Sequence, residues 1–240
     1  MNRLFTRLAL LAGLAMNLGC AVERTSVEPE GRLEVIAPLI ANSLRILPAD
    51  WAVEGPGDIA GERLSVTELG GVPALRITNG EDSFAIVRRI QAMLLATPYL
   101  NWAWNMGTYG GGLHPVRLVV GFHGGNPEEG SWGSQPFAWL GTSLPPHDRS
   151  LAIVWGDSAL MRGALALPDG ERPAVPLYTA RGGRENTGQW WLEDADLSAL
   201  YARAWPGDEM ERVQVVFIGI AATAGNPQAA AHISEVVLSR

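Results

Sequence analysis

Short apolar segments separated by glycine, proline, asparagine and aspartate recur along this chain, and that spacing constrains its fold more than any other feature. Val116–His123 shows the pattern most clearly, because Leu118, Val120 and Phe122 alternate with Arg117, Val119, Gly121 and His123. Alternation with period two is typical of a strand with one face in a core. The same reasoning predicts strands at Val72–Thr78, Phe84–Gln91, Leu100–Met106, Val116–His123, Leu151–Trp155, Gln189–Leu192, Val213–Ala221 and Ile233–Leu238.

Helical signals are much rarer. Asp196 can cap a helix in which Leu197, Leu200, Tyr201, Ala204 and Trp205 recur at helical spacing, and Pro206-Gly207 then ends it. Val213–Ala221 is almost wholly apolar, as expected for a central strand covered on both faces. We therefore expect an all-β fold: a single jelly-roll or galactose-binding-like β-sandwich with one or two short helices, spanning residues 33–240.

The N-terminus has the features of a secretory leader. Arg3 and Arg7 precede an apolar stretch, Leu8–Met16, that is too short to cross a bilayer as a helix. Asn17-Leu18-Gly19-Cys20 follows it and resembles a bacterial lipobox, in which the cysteine sulfur is lipidated. This predicts a signal peptide at residues 1–20, lipid attachment at Cys20, and a polar tether at residues 21–32. Location on the periplasmic side of the envelope, with the outer membrane favoured, is the corresponding expectation.

Several segments, in order, resemble the bacterial family named domain of unknown function 3047. They are Leu47-Pro48-Ala49-Asp50-Trp51, Pro98 to Trp104, Arg117 to Val120, Leu151 to Trp155, Trp190 to Trp205 and Ile218 to Leu238. The acid-rich turn common in the family is reduced here to Asn226 within Thr223 to Pro227. The resemblance implies an exported jelly-roll domain similar to carbohydrate-binding modules, and no assigned activity.

Patterns that suggest catalysis are incomplete. Gly156-Asp157-Ser158 resembles the nucleophile block of GDS-type ester hydrolases, but the residue three before His232 is Ala229 rather than the aspartate of their base motif. Glu128-Glu129 and Glu193-Asp194 could serve glycoside hydrolysis, although solvated loops are expected for both pairs. No catalytic residues are therefore assigned.

Cofactor, metal and nucleic-acid binding are not indicated. The four histidines show no metal-ligand spacing, and no phosphate-binding or dinucleotide fingerprint occurs. The formal net charge of −7 argues against general binding to nucleic acid. Trp102 and Trp104 share one strand face and are interpreted as core.

The remaining polar and aromatic residues predict a binding surface. We expect ligand binding by residues of the long loops and of the polar strand face: Arg117, His123, Trp132, Trp139 and Asn226. The favoured function is non-catalytic binding of a glycan or another envelope component, with the membrane contacted through lipidated Cys20. The alternatives are a hydrolase of glycans or esters, and a structural lipoprotein that docks on a partner protein.

Overall fold

The computed structural model describes residues 24–37, 47–56, 59–125, 144–168, 175–225 and 228–240. Cys20 and the rest of the predicted leader lie outside the described residues, as do Trp132, Trp139, Asn226 and the pair Glu128-Glu129. Within the described ranges, neither helix is long and apolar enough to cross a membrane.

Strands dominate the described chain. They are β1 (Thr25–Ser26), β2 (Arg32–Ile36), β3 (Trp51–Glu54), β4 (Leu64–Leu69), β5 (Val72–Thr78), β6 (Phe84–Met93), β7 (Tyr99–Met106), β8 (Val116–His123), β9 (Arg149–Gly156), β10 (Leu165–Ala166), β11 (Leu177–Gly182), β12 (Trp190–Asp196), β13 (Gln214–Ala222) and β14 (Ala230–Ser239). The α-helices of the described residues are α1 (Ile59–Arg63) and α2 (Leu197–Ala204). All eight predicted strands and the predicted helix are present.

The strands form two sheets. Sheet A has the order β1-β6-β13-β8-β9-β11-β10, with β3 also paired to β6, and sheet B has the order β12-β7-β14-β5-β4, with β2 also paired to β14. Pairing is parallel between β1 and β6 and between β9 and β11, and antiparallel elsewhere in the described sheets. The two sheets enclose one core, so the prediction of an all-β jelly-roll sandwich is confirmed.

Tryptophans occupy the centre of the core. Trp102 and Trp104 on β7 are 2% and 0% exposed, and their rings meet edge to face at 5.4 Å. Trp104 also contacts Trp155 of sheet A at 5.7 Å, which joins the two layers. Each such pair adds about 0.5–1.5 kcal/mol beyond the burial of its surface. The interpretation of Trp102 and Trp104 as core is therefore confirmed.

Sheet A is also covered on its outer face. Val87, Val119, Val154 and Phe217 point away from the sandwich core, yet each is 0% exposed, and they form a second apolar cluster. Val175, a member of this cluster, and Leu144, which packs against it, lie outside the strands of sheet A, whereas Leu177 packs against the cluster from β11. Central strand β13 is consequently buried on both faces, as its apolar sequence predicts.

Helix α2 follows its sequence signals closely. The Asp196 side chain accepts a hydrogen bond from the Ala199 N–H at 2.9 Å, which satisfies one of the free donors of the first turn. Leu197, Leu200 and Tyr201 form the buried face, and the helix ends before Pro206-Gly207.

The pair Glu193-Asp194 was expected in a solvated loop, and that expectation is wrong. Both residues lie in β12, and the Glu193 side chain is only 1% exposed. Arg181 donates to one carboxylate oxygen of Glu193, and Arg162 donates to the other at 3.1 Å. The Arg181 guanidinium also lies 3.6 Å above the centre of the Trp191 ring. These contacts compensate the buried charge and tie β12 of sheet B to the β11 edge of sheet A.

The region of the predicted tether contains the first strand of the fold. Thr25 and Ser26 pair with Ile90 and Gln91 of β6. The Thr25 hydroxyl donates to Asp50 at 2.6 Å and accepts from Arg88 at 2.9 Å. Thr25 and Ser26 are therefore part of sheet A, while Arg32, the last residue of this segment, begins β2 and pairs with β14 of sheet B.

Candidate functional site

A pocket of about 360 Å³ opens at the end of the sandwich where β6 and β8 begin and β9 and β13 end. We call it the end pocket. It is bounded by the loop after β7, by the start of β8 and by the loop after β13. Its lining includes Asn79, Tyr109, Leu113, Pro115, Thr223 and Gly225.

The loop between β7 and β8 is held in place by hydrogen bonds to neighbouring strands. The Tyr109 hydroxyl donates to the Gly156 carbonyl at 3.0 Å, and the Gly112 N–H donates to Asp157 at 3.2 Å. Gly111 has φ of +125°, a conformation that favours glycine. This wall of the end pocket is thus preformed, which lowers the entropy cost of binding.

Asn79 fixes the opposite wall. Its amide donates to the Gly225 carbonyl at 2.9 Å and its side-chain oxygen accepts from the Ala229 N–H at 2.6 Å. The Asn79 residue is 1% exposed, so these bonds form away from water and hold the loop between β13 and β14. Asn226, a predicted ligand-binding residue, directly follows Gly225 but lies outside the described residues.

Arg117 lies on the outer face of sheet A, next to the end pocket. One guanidinium nitrogen, Nη2, donates to the Thr223 hydroxyl at 3.4 Å, and Thr223 lines the pocket. The Arg117 Nε is buried and has no hydrogen-bond partner. Burial lowers the pKa of the Arg117 guanidinium below its usual value, with no carboxylate in the described chain close enough to oppose the effect.

His114 is a second buried group at this end. It is 0% exposed, and its Nδ1 accepts a hydrogen bond from the Val116 N–H at 3.1 Å. Burial, with a smaller effect of the Arg117 charge, lowers the pKa of His114 to about 4. His114 is therefore neutral at physiological pH, and its ring packs edge-on against Tyr109 at 5.1 Å.

His123 lies far from Arg117, although the two share one strand face. They are separated by about 20 Å, because a strand rises about 3.3 Å per residue. His123 is half exposed, and its Nδ1 is 3.7 Å from Asp148, which accepts the Gly124 N–H at 2.8 Å. The two predicted residues that the structure describes therefore do not form one site. The face between them is also apolar, through Val119, rather than polar as the sequence suggests.

The hydrolase alternative gains no support from Ser158. Its hydroxyl oxygen accepts a hydrogen bond from the Leu160 N–H at 3.2 Å and caps a short 3₁₀ turn at Ala159–Met161. Asp157 holds the loop before β8 through Gly112. Both residues have structural contacts, and within the described chain no histidine is hydrogen-bonded to Ser158.

Two other concave regions occur on the described surface. A groove of about 450 Å³ crosses the outer face of sheet B and is lined by Asn101, Leu192, Asp194 and Glu235. A third, of about 340 Å³, contains the Arg88–Asp50 ion pair, whose 2.7 Å contact connects β6 to the segment before β3.

Among the described residues, no group of three or more histidine, cysteine, aspartate or glutamate side chains is arranged to hold a metal ion.

Several end-pocket residues were not singled out from the sequence. The glycine-rich segment Gly107–Gly112 is typical of a loop, a common place for binding, but nothing in the sequence distinguishes Tyr109 within it. Thr223 carries no sequence signal, because it contacts Arg117 across 106 positions of the chain. Arg184, which donates to the Gly110 carbonyl at 2.8 Å, is likewise recognisable only in three dimensions.

Comparisons with known proteins give distant structural likenesses. Neither a protein-family model nor a curated protein sequence matches the chain. The Humicola grisea Cel12A catalytic domain is 11% identical and covers 88% of this chain and 94% of its own, with a TM-score of 0.44. The family 11 carbohydrate-binding module of Clostridium thermocellum is 6% identical over 88% of this chain and 97% of its own, with a TM-score of 0.37. Trichoderma harzianum endoglucanase 3 from family GH12 is 11% identical over 89% and 92%, with a TM-score of 0.40. These values are too low to support an argument about function.

Proposed function

We propose that this chain is a non-catalytic, lipid-anchored binding protein of the bacterial envelope and that a glycan occupies its end pocket. The observation that carries the proposal is the composition of that pocket. Leu113 and Pro115 offer apolar surface, while Thr223 and the neighbouring Arg117 offer polar groups. Sugars need both, because their C–H faces pack on apolar surface while their hydroxyls require hydrogen-bond partners.

The rigidity of the pocket further supports binding. Its walls are fixed by Tyr109, Asn79 and Asp157, which are already engaged in hydrogen bonds with the backbone. Few rotatable groups need to be ordered when a ligand enters, so little affinity is lost to conformational entropy. The contacts of Ser158 and Asp157 are those of structural residues, which favours binding over hydrolysis.

The envelope location rests on the sequence of the leader. The charged start, the short apolar stretch and Cys20 at its end are the pattern expected for an exported lipoprotein. We propose that lipid attached to Cys20 holds the domain at the periplasmic side of the envelope, with the outer membrane favoured.

The function is tested by a glycan-array screen of the full chain purified in detergent, followed by a blocking variant. Leu113 is 41% exposed in the pocket wall, so Leu113→Trp fills the pocket without disturbing the core. Leu95→Trp is the matched control, since Leu95 is 51% exposed in the turn after β6, at the opposite end of that strand. We expect Leu113→Trp to weaken binding by about tenfold or more and Leu95→Trp to leave it unchanged.

Two results would contradict the proposal. One is equal binding by both variants, which would place the ligand elsewhere. The other is the absence of any glycan ligand together with a stoichiometric copurifying protein, which would favour a structural lipoprotein that docks on a partner.

A further inference from the structure

Arg117 differs from three other shielded arginines of the described chain, which are paired with carboxylates. The side chains of Arg88, Arg149 and Arg181 are 19%, 14% and 14% exposed, and each donates to a carboxylate. Their partners are Asp50, Asp208 and Glu193. Within the described residues, Arg117 has no carboxylate within ion-pairing distance, and its one hydrogen bond is a long one to the neutral Thr223.

This arrangement is unfavourable for the isolated fold. A guanidinium carries five N–H donors and stays charged at physiological pH, so a shielded one needs several acceptors. The Arg117 Nε is buried without an acceptor, and the side chain lies beside the apolar Val119 and Ala221. Burying a charged donor without an acceptor destabilises the folded state, and neither the packing of the side chain nor the Thr223 contact offsets that loss.

The position of Arg117 puts its guanidinium within reach of the end pocket, next to the lining residue Thr223. Thr223 accepts from Arg117 and in turn donates to the Pro115 carbonyl at 3.3 Å, so its hydroxyl separates the guanidinium from the end pocket. A second guanidinium, that of Arg184, lies against Gly110 on the rim. Two guanidinium groups therefore lie beside one small pocket, whose loop wall also has the carboxylates of Asp157 and Glu185 near Tyr109.

We propose that the end pocket binds an oxyanion carried by the glycan and that Arg117 is its counter-charge. The oxyanion is a carboxylate, a sulfate or a phosphate ester, because planar guanidinium donors bind these groups in a bidentate manner. The Arg117 Nε–H and Nη–H bind the anion from inside, Thr223 turns its hydroxyl toward it, and Arg184 closes over it from the rim. This identification of the ligand class rests on the function proposed above.

The test compares charged and neutral probes on matched variants of the full chain in detergent. Isothermal titration calorimetry with an oligogalacturonate and with the corresponding neutral galacto-oligosaccharide measures the preference for charge. Thermal unfolding in sodium sulfate or sodium phosphate, against sodium chloride of equal ionic strength, measures anion binding without a sugar. Arg117→Gln removes the charge and keeps an amide donor, and Arg117→Lys keeps the charge but loses the planar fork.

Arg212→Gln is the control. It makes the same chemical change at a side chain that is 66% exposed and lies at the His123 end of the sandwich. We expect the parent chain and Arg212→Gln to prefer the acidic probe by about tenfold or more. Arg117→Gln should lose that preference, and Arg117→Lys should retain only part of it. Without anion, Arg117→Gln should unfold at the same temperature as the parent or higher, because an uncompensated charge is gone.

The outcomes separate this inference from the function on which it rests. Glycan binding that is indifferent to charge and to Arg117→Gln would overturn the inference and leave the function standing. Arg117-dependent stabilisation by sulfate or phosphate, without any glycan ligand, would support the anion site and overturn the glycan assignment. A lower unfolding temperature in Arg117→Gln with undiminished anion stabilisation would show that Arg117 has only a structural role.

Discussion

Acid should destabilise this protein through His114, in a pH range set by its burial. The folded pKa is about 4 and the unfolded value is 6.5. Above pH 6.5 the residue is neutral in both the folded and the unfolded state, so the free energy of unfolding does not change with pH through His114. Between pH 6.5 and 4 the unfolded chain binds a proton that the folded chain does not, and the free energy of unfolding falls as the pH falls. Because one pKa unit corresponds to about 1.36 kcal/mol, His114 alone should remove about 3 kcal/mol of stability.

The assay is urea unfolding at pH 7, 6, 5 and 4, followed by tryptophan fluorescence. The variant His114→Asn removes the titration and keeps an acceptor near the position of Nδ1, which bonds the Val116 N–H. His147, whose pKa is also lowered by burial, is present in both proteins, so its contribution cancels in the comparison. Between pH 7 and pH 4, we expect the free energy of unfolding of His114→Asn to fall by about 3 kcal/mol less than that of the parent. Equal losses in the two proteins would refute the buried, neutral state of His114.

Three further predictions concern the anchor, the core and the sheet edge. Cys20→Ser should release the protein from membranes, and unchanged fractionation would refute lipid attachment. Trp155→Phe should lower the free energy of unfolding by about 1–3 kcal/mol more than Trp104→Phe, as measured by urea unfolding. The reason is that the Trp155 indole N–H donates to the Gly183 carbonyl, whereas the buried indole N–H of Trp104 has no hydrogen-bond partner. Equal losses would show that the Trp155 hydrogen bond adds nothing. Glu193→Gln should lower the free energy of unfolding by about 3 kcal/mol, because it leaves the shielded Arg181 without its carboxylate partner, and a loss below about 1 kcal/mol would contradict the buried Arg181–Glu193 ion pair.

The sheet pattern was predictable where local alternation is strong. β5 and β8 have the predicted bounds, because each is a short apolar segment flanked by glycine, proline or polar residues, and in β8 the apolar side chains also alternate. The helix was predictable for a similar reason, since its cap and its buried face are local features. β1 and α1 were missed because two and five residues are too few to show a period.

Long-range contacts account for what the sequence did not predict. Glu193 looks like a solvent-exposed acid until β11 brings Arg181 beside it, and the outer cover of sheet A depends on segments distant from β8. The sequence predicts Arg117 as a ligand residue because it lies on the polar face of its strand. Its position beside the end pocket follows from its place at the start of β8. Among the residues that the structure describes, Arg117 has no carboxylate partner, and this is a property of three-dimensional packing alone.

The claim that Arg117 receives an anion is most directly tested by nuclear magnetic resonance of the guanidinium itself. In protein labelled with ¹⁵N-arginine, the Arg117 Nε–H signal is the one that disappears in Arg117→Gln. Titration with an oligogalacturonate should shift this signal in a saturable manner, and the neutral galacto-oligosaccharide should leave it in place. An Arg117 signal that stays fixed while the acidic glycan binds would contradict the account.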